Sequence, residues 1–397
     1  MNEFQTRKPK TELTTSKKIV VLILVFLGGW LLGAGQMNFK ANKASSQKNL
    51  PSNLNYADVE RVYDELRAKY DGNLDINKLM DGLKEGLVAA SGDPYTEYMA
   101  PDKAKEFSGQ LNGTFEGIGA YLGKNEQGNV IVISPVDGFP AKKAGLQPRD
   151  VIVEIDGKDA TAYSVDQAVD KIRGPKGTNV KLRIIRNSKE DLSFDIKREE
   201  INIPSVESKV INGNIGYMKI IRFGDDTSEL AQQAAEKFKA DGVKKVILDL
   251  RGNPGGYLES AVDVSSLWMK DKTVLTERRD GVTIKSYKTR GDAPLLGIPT
   301  IVLIDEGSAS ASEITAGALR DNNAAVLVGV KSFGKGSVQQ PQNLDNGGIL
   351  KVTVARWYTP AGKNIDKQGI EPDKKVEISV DDIKAGRDPQ LDAAVAQ

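Results

Sequence analysis

Two short segments toward the end of this 397-residue chain carry the residue types of an active site: Gly307 to Glu313 (Gly-Ser-Ala-Ser-Ala-Ser-Glu) and Ser332 to Gly336 (Ser-Phe-Gly-Lys-Gly). The chain holds no histidine and no cysteine, which narrows the chemistry. A Ser-His-Asp triad needs an imidazole, a cysteine peptidase needs a thiol, and most catalytic zinc sites need His or Cys. A serine nucleophile here must take a lysine or a carboxylate as its base, and Ser-Lys pairing is an established variant. Each segment also has a plainer reading. Ser308, Ser310 and Ser312 are good helix caps, and Ser310 with Glu313 has the capping-box spacing. Lys335 alone reads as a solvated loop lysine. Gly329 to Lys335 matches most of a phosphate-binding loop, but Gly336 stands where Ser or Thr would hold magnesium. Val338 to Pro341 then reads as extended rather than as a helix start, which argues against a nucleotide site.

These loops need elements to position them. Lys244 to Leu250 and Thr300 to Ile304 are continuous apolar strands, and Ala325 to Val330 is another strand. The first leads through Arg251-Gly252-Asn253-Pro254-Gly255-Gly256 into a helix reaching Trp268. The second leads through the serine loop into a helix over Ser312 to Leu319. The third leads into the lysine loop. With Asn214 to Ile220 as a strand and Thr227 to Ala240 as a helix, this alternation predicts an α/β layered core. A glycine-bearing loop that opens a helix points backbone N–H groups at a reacting atom, the arrangement from which an oxyanion hole is built.

Upstream of the core the pattern is different. Val59, Val62, Leu66 and Tyr70, then Leu79, Leu83 and Leu87, recur at helical spacing. They read as a helical pair packed on the main body, with a dimerising or substrate-gating arm as the alternative. Short strands follow from Gly113, including Val130 to Ser134 and Asp150 to Gly157, the latter ending in a tight Asp-Gly turn. Val165, Ala168, Val169 and Ile172 share one helical face. This order, and above all "AGLQPRDVIVEIDG", resembles a PDZ domain over about residues 113 to 200. The resemblance implies capture of a polypeptide C-terminus as an added strand, with its carboxylate on backbone N–H groups. Gly117-Ile118-Gly119 would form that loop, with Ala120 following it.

The stretches "LDLRGNPGG", "GSASASEITAGALRDNNAAVLVG", "SFGKGSVQQ" and "GKNIDKQGIEPD", in the order helical arm, PDZ, core, resemble the carboxyl-terminal processing peptidases. The resemblance covers nearly everything after residue 55. It implies a core similar to crotonase and Clp-type peptidases, Ser310 as nucleophile, Lys335 as general base and Gln339 as the residue that orients the lysine. It also implies an oxyanion hole from Ala311 and either Gly255 or Gly256, and no metal or cofactor. Arg173, before Gly174-Pro175, is either a regulatory partner for a carboxylate in the core or a solvated arginine.

A lysine base must be neutral part of the time. Free lysine titrates near ~10.4, and each unit of depression requires about 1.36 kcal/mol. Burial disfavours the ammonium, and Phe333 with the flanking buried strand is the expected source of burial. Gln339 can hold the amine without stabilising its charge as a carboxylate would.

At the other end, Ile19 to Gly35 is an uncharged run of 17 residues, preceded by Arg7, Lys8, Lys10, Lys17 and Lys18. As a helix it spans about 25 Å, slightly short of a ~30 Å hydrocarbon core. The basic flank predicts an anchor over 19–36, with residues 1–18 inside and the remainder outside the cytoplasmic membrane. A cleaved signal peptide ending near Gly33-Ala34-Gly35 is the alternative. Lys plus Arg (55) balances Asp plus Glu (54), so the composition carries no nucleic-acid footprint.

The full expectation is a multi-domain α/β protein. It has a transmembrane anchor, a linker over 37–55, a helical arm over 56–112, and a PDZ domain over 113–202. A catalytic core over 203–375 and a tail over 376–397 complete it, the tail folding back as a strand and a short helix. The function expected is a membrane-anchored serine endopeptidase acting on polypeptides with exposed C-termini; a homodimer through the arm belongs to the alternative reading of that arm. The alternative from another class is a non-catalytic, membrane-tethered PDZ adaptor or chaperone on a peptidase fold.

Overall fold

The structure, a computed structural model, describes residues 50–397 apart from Ser52 and Glu126. The anchor expected at 19–36, the residues before it and most of the linker lie outside the described residues. Among the described residues, no helix is long and apolar enough to cross a membrane.

The chain divides into two units, one ending at Asp75 and the other running from Ile76 to Gln397. The first contributes the helix Ala57–Lys69, on which Val59, Val62, Tyr63 and Leu66 are exposed. Its pair of expected helices is therefore split, since Ile76–Ala89 belongs to the second unit.

The main body is built on a six-stranded sheet. Its order is Val206–Ile211, Ile215–Ile220, Lys245–Asp249, Thr300–Ile304, Val326–Gly329, Lys374–Lys375. The first two strands form an antiparallel hairpin and every later pairing is parallel. Both faces are covered, so the central strands are apolar without interruption. Val246, Leu248, Val302 and Ile304 face the main core beneath the helices Thr227–Ala240, Leu258–Ser266 and Ala311–Asp321. Ile247, Ile301 and Leu303 face the opposite side, under the C-terminal helix Pro389–Ala396. The tail thus closes the second face with the helix Pro389–Ala396, while the short helix Val380–Ala385 before it buries no residue, in place of the expected strand and helix. Its strand, Lys374–Lys375, comes just before the expected boundary.

A second, antiparallel sheet was not visible in the sequence. The strand Ile349–Tyr358 pairs with Ser337–Asn343 and with Thr273–Arg279, and the latter pairs with Val282–Lys288. It also takes in Glu97–Met99, in register with Ile349–Lys351. The segment after the expected helical pair is thus stitched into the main body. Tyr98 reinforces this join, donating its hydroxyl to Asp81 at 2.6 Å and accepting from Lys84 at 2.8 Å.

The PDZ part forms as expected. A six-stranded antiparallel sheet and the helix Val165–Ile172 enclose their own core of Val130, Val132, Ile152, Ile155, Leu182 and Ile184. Ser164 and Gln167 close a capping box at the start of that helix. Asp156 and Gly157 both take positive φ, which is what the tight turn after Ile155 requires. Thr114–Gly117 and Glu199–Asn202 pair where the chain enters and leaves this part.

Candidate active site

Lys245–Asp249, Thr300–Ile304 and Val326–Gly329 are neighbouring parallel strands, so the loops leaving their carboxyl ends lie side by side. These are the glycine, serine and lysine loops. Ligand sites in open α/β sheets form at this edge.

The three serines separate by their partners. Ser308 is fully buried, and its Oγ donates to the Leu250 carbonyl at 2.8 Å. Ser312 is fully buried, and its Oγ donates to the Asn253 carbonyl at 2.9 Å. Ser310 lies between them at φ 53° and lines a cavity of about 340 Å³. A positive φ on a non-glycine residue costs about 1–3 kcal/mol and persists only where the surroundings enforce it. Here the enforcement comes from both sides: Ala309 N–H donates to the Asn253 carbonyl at 3.0 Å, and Ser310 N–H donates to Glu313 Oε2 at 2.9 Å.

Glu313 does more than cap its helix. It is fully buried and accepts four hydrogen bonds. Oε1 takes Ser332 Oγ at 2.6 Å and Gly334 N–H at 2.7 Å, while Oε2 takes Lys335 N–H and Ser310 N–H, each at 2.9 Å. One carboxylate therefore ties the serine loop to the lysine loop. Burial pushes its pKa up, against the pull of these donors. The sequence offered only the capping spacing; the bonds to Ser332, Gly334 and Lys335 bridge loops on different strands.

Lys335 lines the same cavity as Ser310, and its carbonyl accepts from Trp357 Nε1 at 2.9 Å. Its amine lies 5.5 Å from the centre of the Tyr95 ring. Burial pushes its pKa below the ordinary lysine value, the Lys351 ammonium adds to the fall, and Glu313 opposes it. Phe333 does not supply that burial: it is 58% exposed. The walls come instead from the second sheet and the segment before the PDZ part, through Trp357, Tyr95 and Phe107. Gln339 lines the cavity, but its amide donates to Ser337 Oγ at 2.7 Å and Thr353 Oγ1 at 3.5 Å rather than holding the amine.

The glycine loop is fixed by Asn253, which is buried and donates to the Ile220 carbonyl at 2.8 Å. Its Oδ1 accepts from Gly255 N–H at 2.8 Å. The N–H groups of Gly256 and Ala311 have no acceptor among the described residues. A Cβ on Gly255 would lie 2.8 Å from Ser310 Cβ, and one on Gly256 would lie 2.1 Å from the Phe223 carbonyl oxygen. Both positions need glycine because the loop is pressed against its neighbours. Arg251 clamps the loop's start, donating to Asp249 at 2.6 Å and to Asp388 of the tail at 2.8 Å.

A model of peptidase family S41 matches residues 214–376, and a PDZ domain model matches residues 131–186. The chain is 38% identical over 324 residues to the carboxy-terminal processing protease CtpA of Bacillus subtilis (strain 168), covering 81% of this chain and 68% of that protein. The chain belongs to peptidase family S41. It is a serine-type peptidase of the carboxy-terminal processing group. It is also 40% identical to a probable CtpA-like serine protease of Staphylococcus haemolyticus, covering 80% of this chain and 64% of that one. Among solved structures it resembles a photosystem II D1 C-terminal processing protease at 26% identity and a TM-score of 0.51, over 80% of this chain and 86% of that chain. A putative S41 protease from Bacteroides fragilis shares the fold, with a TM-score of 0.53 at 18% identity over 83% and 92% of the two chains.

This S41 chain carries a second cavity, of about 260 Å³, in its PDZ part. Gly117, Ile118, Gly119 and Ala120 line it together with Val169, Ile172 and Arg173. The predicted peptide-binding residues are thus brought together against the helix. Gly119 takes φ 72°, and a Cβ there would lie 2.6 Å from Phe139. Arg173 is not a free solvated arginine. Its Nη1 lies 3.5 Å from Glu106, and its guanidinium 5.1 Å from the Phe115 ring centre. Glu106 belongs to the helix Pro101–Asn112, whose Phe107, Gln110 and Leu111 line the Ser310 cavity.

Proposed function

We propose that this peptidase is a membrane-anchored endopeptidase that recognises protein C-termini through its PDZ domain and cuts by a Ser-Lys dyad. Ser310 Oγ attacks the peptide carbonyl as Lys335 takes its proton. The amine then protonates the leaving nitrogen, and water hydrolyses the acyl-enzyme with the same amine as base. Ala311 and Gly256 N–H groups receive the oxyanion, because Gly255 N–H is already engaged by Asn253. Gln339 acts from the lysine's cavity, through Ser337 in the arrangement described. The observation that carries the reading is that Ser310 and Lys335 share one cavity, with a buried carboxylate joining their loops.

The decisive comparison is casein cleavage by three serine variants. Ser310→Ala should lose at least ~10⁴-fold in turnover. Ser308→Ala and Ser312→Ala should keep turnover and lose about 1–2 kcal/mol of stability each, since each removes a buried hydroxyl bonded to a backbone carbonyl. Cleavage retained by Ser310→Ala would overturn Ser310 as the nucleophile, whereas no casein cleavage by the wild-type chain would favour the non-catalytic adaptor.

Arg173 gives the PDZ groove a physical route to the cleft, through Glu106 on the helix that lines it. Arg173→Ala is expected to narrow the rate difference between substrates with free and amidated C-termini several-fold. An unchanged ratio would dispose of the coupling. The uncharged run at 19–35 supports anchoring, and the exposed apolar face of Ala57–Lys69 supports self-association. Membrane fractionation and sedimentation of the full chain test these two points.

A further inference from the structure

The Ser310 cavity is lined by three basic side chains, Arg222, Lys335 and Lys351, and by no acidic one. Two of them have evident roles. Arg222 anchors the helix Pro101–Asn112 by donating to the carbonyls of Leu111 at 3.1 Å and Asn112 at 2.9 Å, beside Asp226. Lys335 is the base. Lys351 has no role in the chemistry as described, yet its side chain is only 19% exposed. A second ammonium walled into an active-site cleft is an electrostatic liability unless it serves the site.

We propose that Lys351 is a positioning residue for the reaction: its ammonium, fixed at the cavity wall by Glu97, keeps the Lys335 amine in its neutral, proton-accepting form. This deepens the Ser-Lys reading and rests on it. Glu97 and Lys351 are cross-strand partners, with Nζ 3.0 Å from Glu97 Oε2, and Nζ lies 5.4 Å from the Phe107 ring centre. The Lys335 amine reaches the same short strip of chain, over Tyr95. A positive neighbour in one poorly hydrated cavity disfavours the charged form of an amine, and Lys335 has no carboxylate paired to its amine among the described residues. Burial and Lys351 both push Lys335 down.

The other groups around Lys335 do not replace this effect. Glu313 is bonded to its backbone N–H and pulls the opposite way. The Tyr257 phenol is pushed up by burial and stays neutral. Arg222 is partnered by Asp226. Asp93 bonds Thr96 and feels Arg356.

The test is the pH dependence of kcat/KM on a tailed fluorogenic peptide. Activity rises with pH as Lys335 loses its proton, so the acid limb reports that group, and in wild type it should fall below the ordinary lysine value of ~10.4. Lys351→Gln removes a positive neighbour and should move the limb up by about half to one pH unit. On the acid side this reads as a three- to tenfold loss, converging on wild type at high pH. Lys351→Arg should hold the limb near its wild-type position. Glu97→Gln removes the countercharge and should move the limb the other way, to lower pH.

A merely structural role predicts no such opposition of sign. Limbs that do not move, or that move in one direction for both neutral variants, overturn the proposal. Should Lys351→Gln fail to fold, Glu97→Gln decides alone by the direction of its shift, since that side chain is 50% exposed. Failure of the underlying dyad would appear separately, as turnover retained when Lys335 itself is replaced.

Discussion

Lys335→Met should give a folded enzyme, inactive by at least ~10⁴-fold, that resists heat better than wild type at neutral pH. The loss follows from removing the group proposed above as the general base for Ser310. The gain follows from linkage. Burial lowers the folded-state pKa of Lys335 below that of the unfolded chain. Between those two values the unfolded state binds more protons, so wild-type stability increases with pH across the window. Below it the folded protein carries the full penalty of a buried, disfavoured ammonium. Methionine has similar length and no charge to desolvate, so the variant's advantage should be largest at acidic to neutral pH. It should vanish as pH rises toward ~10.4, where the unfolded lysine is itself neutral. Thermal melts of both proteins across pH, together with casein turnover, check the pair of outcomes. An inactive variant that melts well below wild type at every pH would mean that Lys335 holds the loop together rather than serving as a base.

Glu313→Gln should be nearly as damaging as Glu313→Ala, with a stability loss of roughly 3–5 kcal/mol and turnover reduced at least ~10²-fold. The usual expectation for an isosteric change is mild. Here all four groups facing the side chain are donors, two to each oxygen. An amide turned either way sets its NH₂ against two of them, and its one remaining oxygen cannot serve both pairs. The serine and lysine loops then lose their shared fastening, and Ser310 loses part of what holds it at positive φ. Urea titration and kinetics of the two variants decide the matter. A Gln variant close to wild type would show that the carboxylate's charge is dispensable.

The apolar strands Lys245–Asp249 and Thr300–Ile304 were readable because both faces of their sheet are buried, which leaves unbroken hydrophobic runs. Ser310, Lys335 and the glycine loop were readable because they sit in short, contiguous motifs. What escaped was assembled from distant pieces. Ile349–Tyr358 is only partly buried along most of its length, and its partners come from Glu97–Met99, Thr273–Arg279 and Ser337–Asn343. Nothing local announces Lys351 or Trp357 as walls of the cleft. Phe333 misled for the same reason: a neighbour in sequence was taken for a neighbour in space. Glu313 was noticed, but its capping spacing explained it too easily, and its bonds to the lysine loop depend on two strands lying side by side.

The pairing of Glu97–Met99 with Ile349–Lys351 has a consequence for the nascent chain. The PDZ part is a loop-out between two halves of one catalytic body, closed at its base by Thr114–Gly117 and Glu199–Asn202. It can fold on the ribosome while the halves are still apart. The cleft cannot: Tyr95 and Phe107 are synthesised long before Lys335 and wait for it as an unfinished wall. On the function proposed above, a partly translated chain would grip a tail before it could sever one.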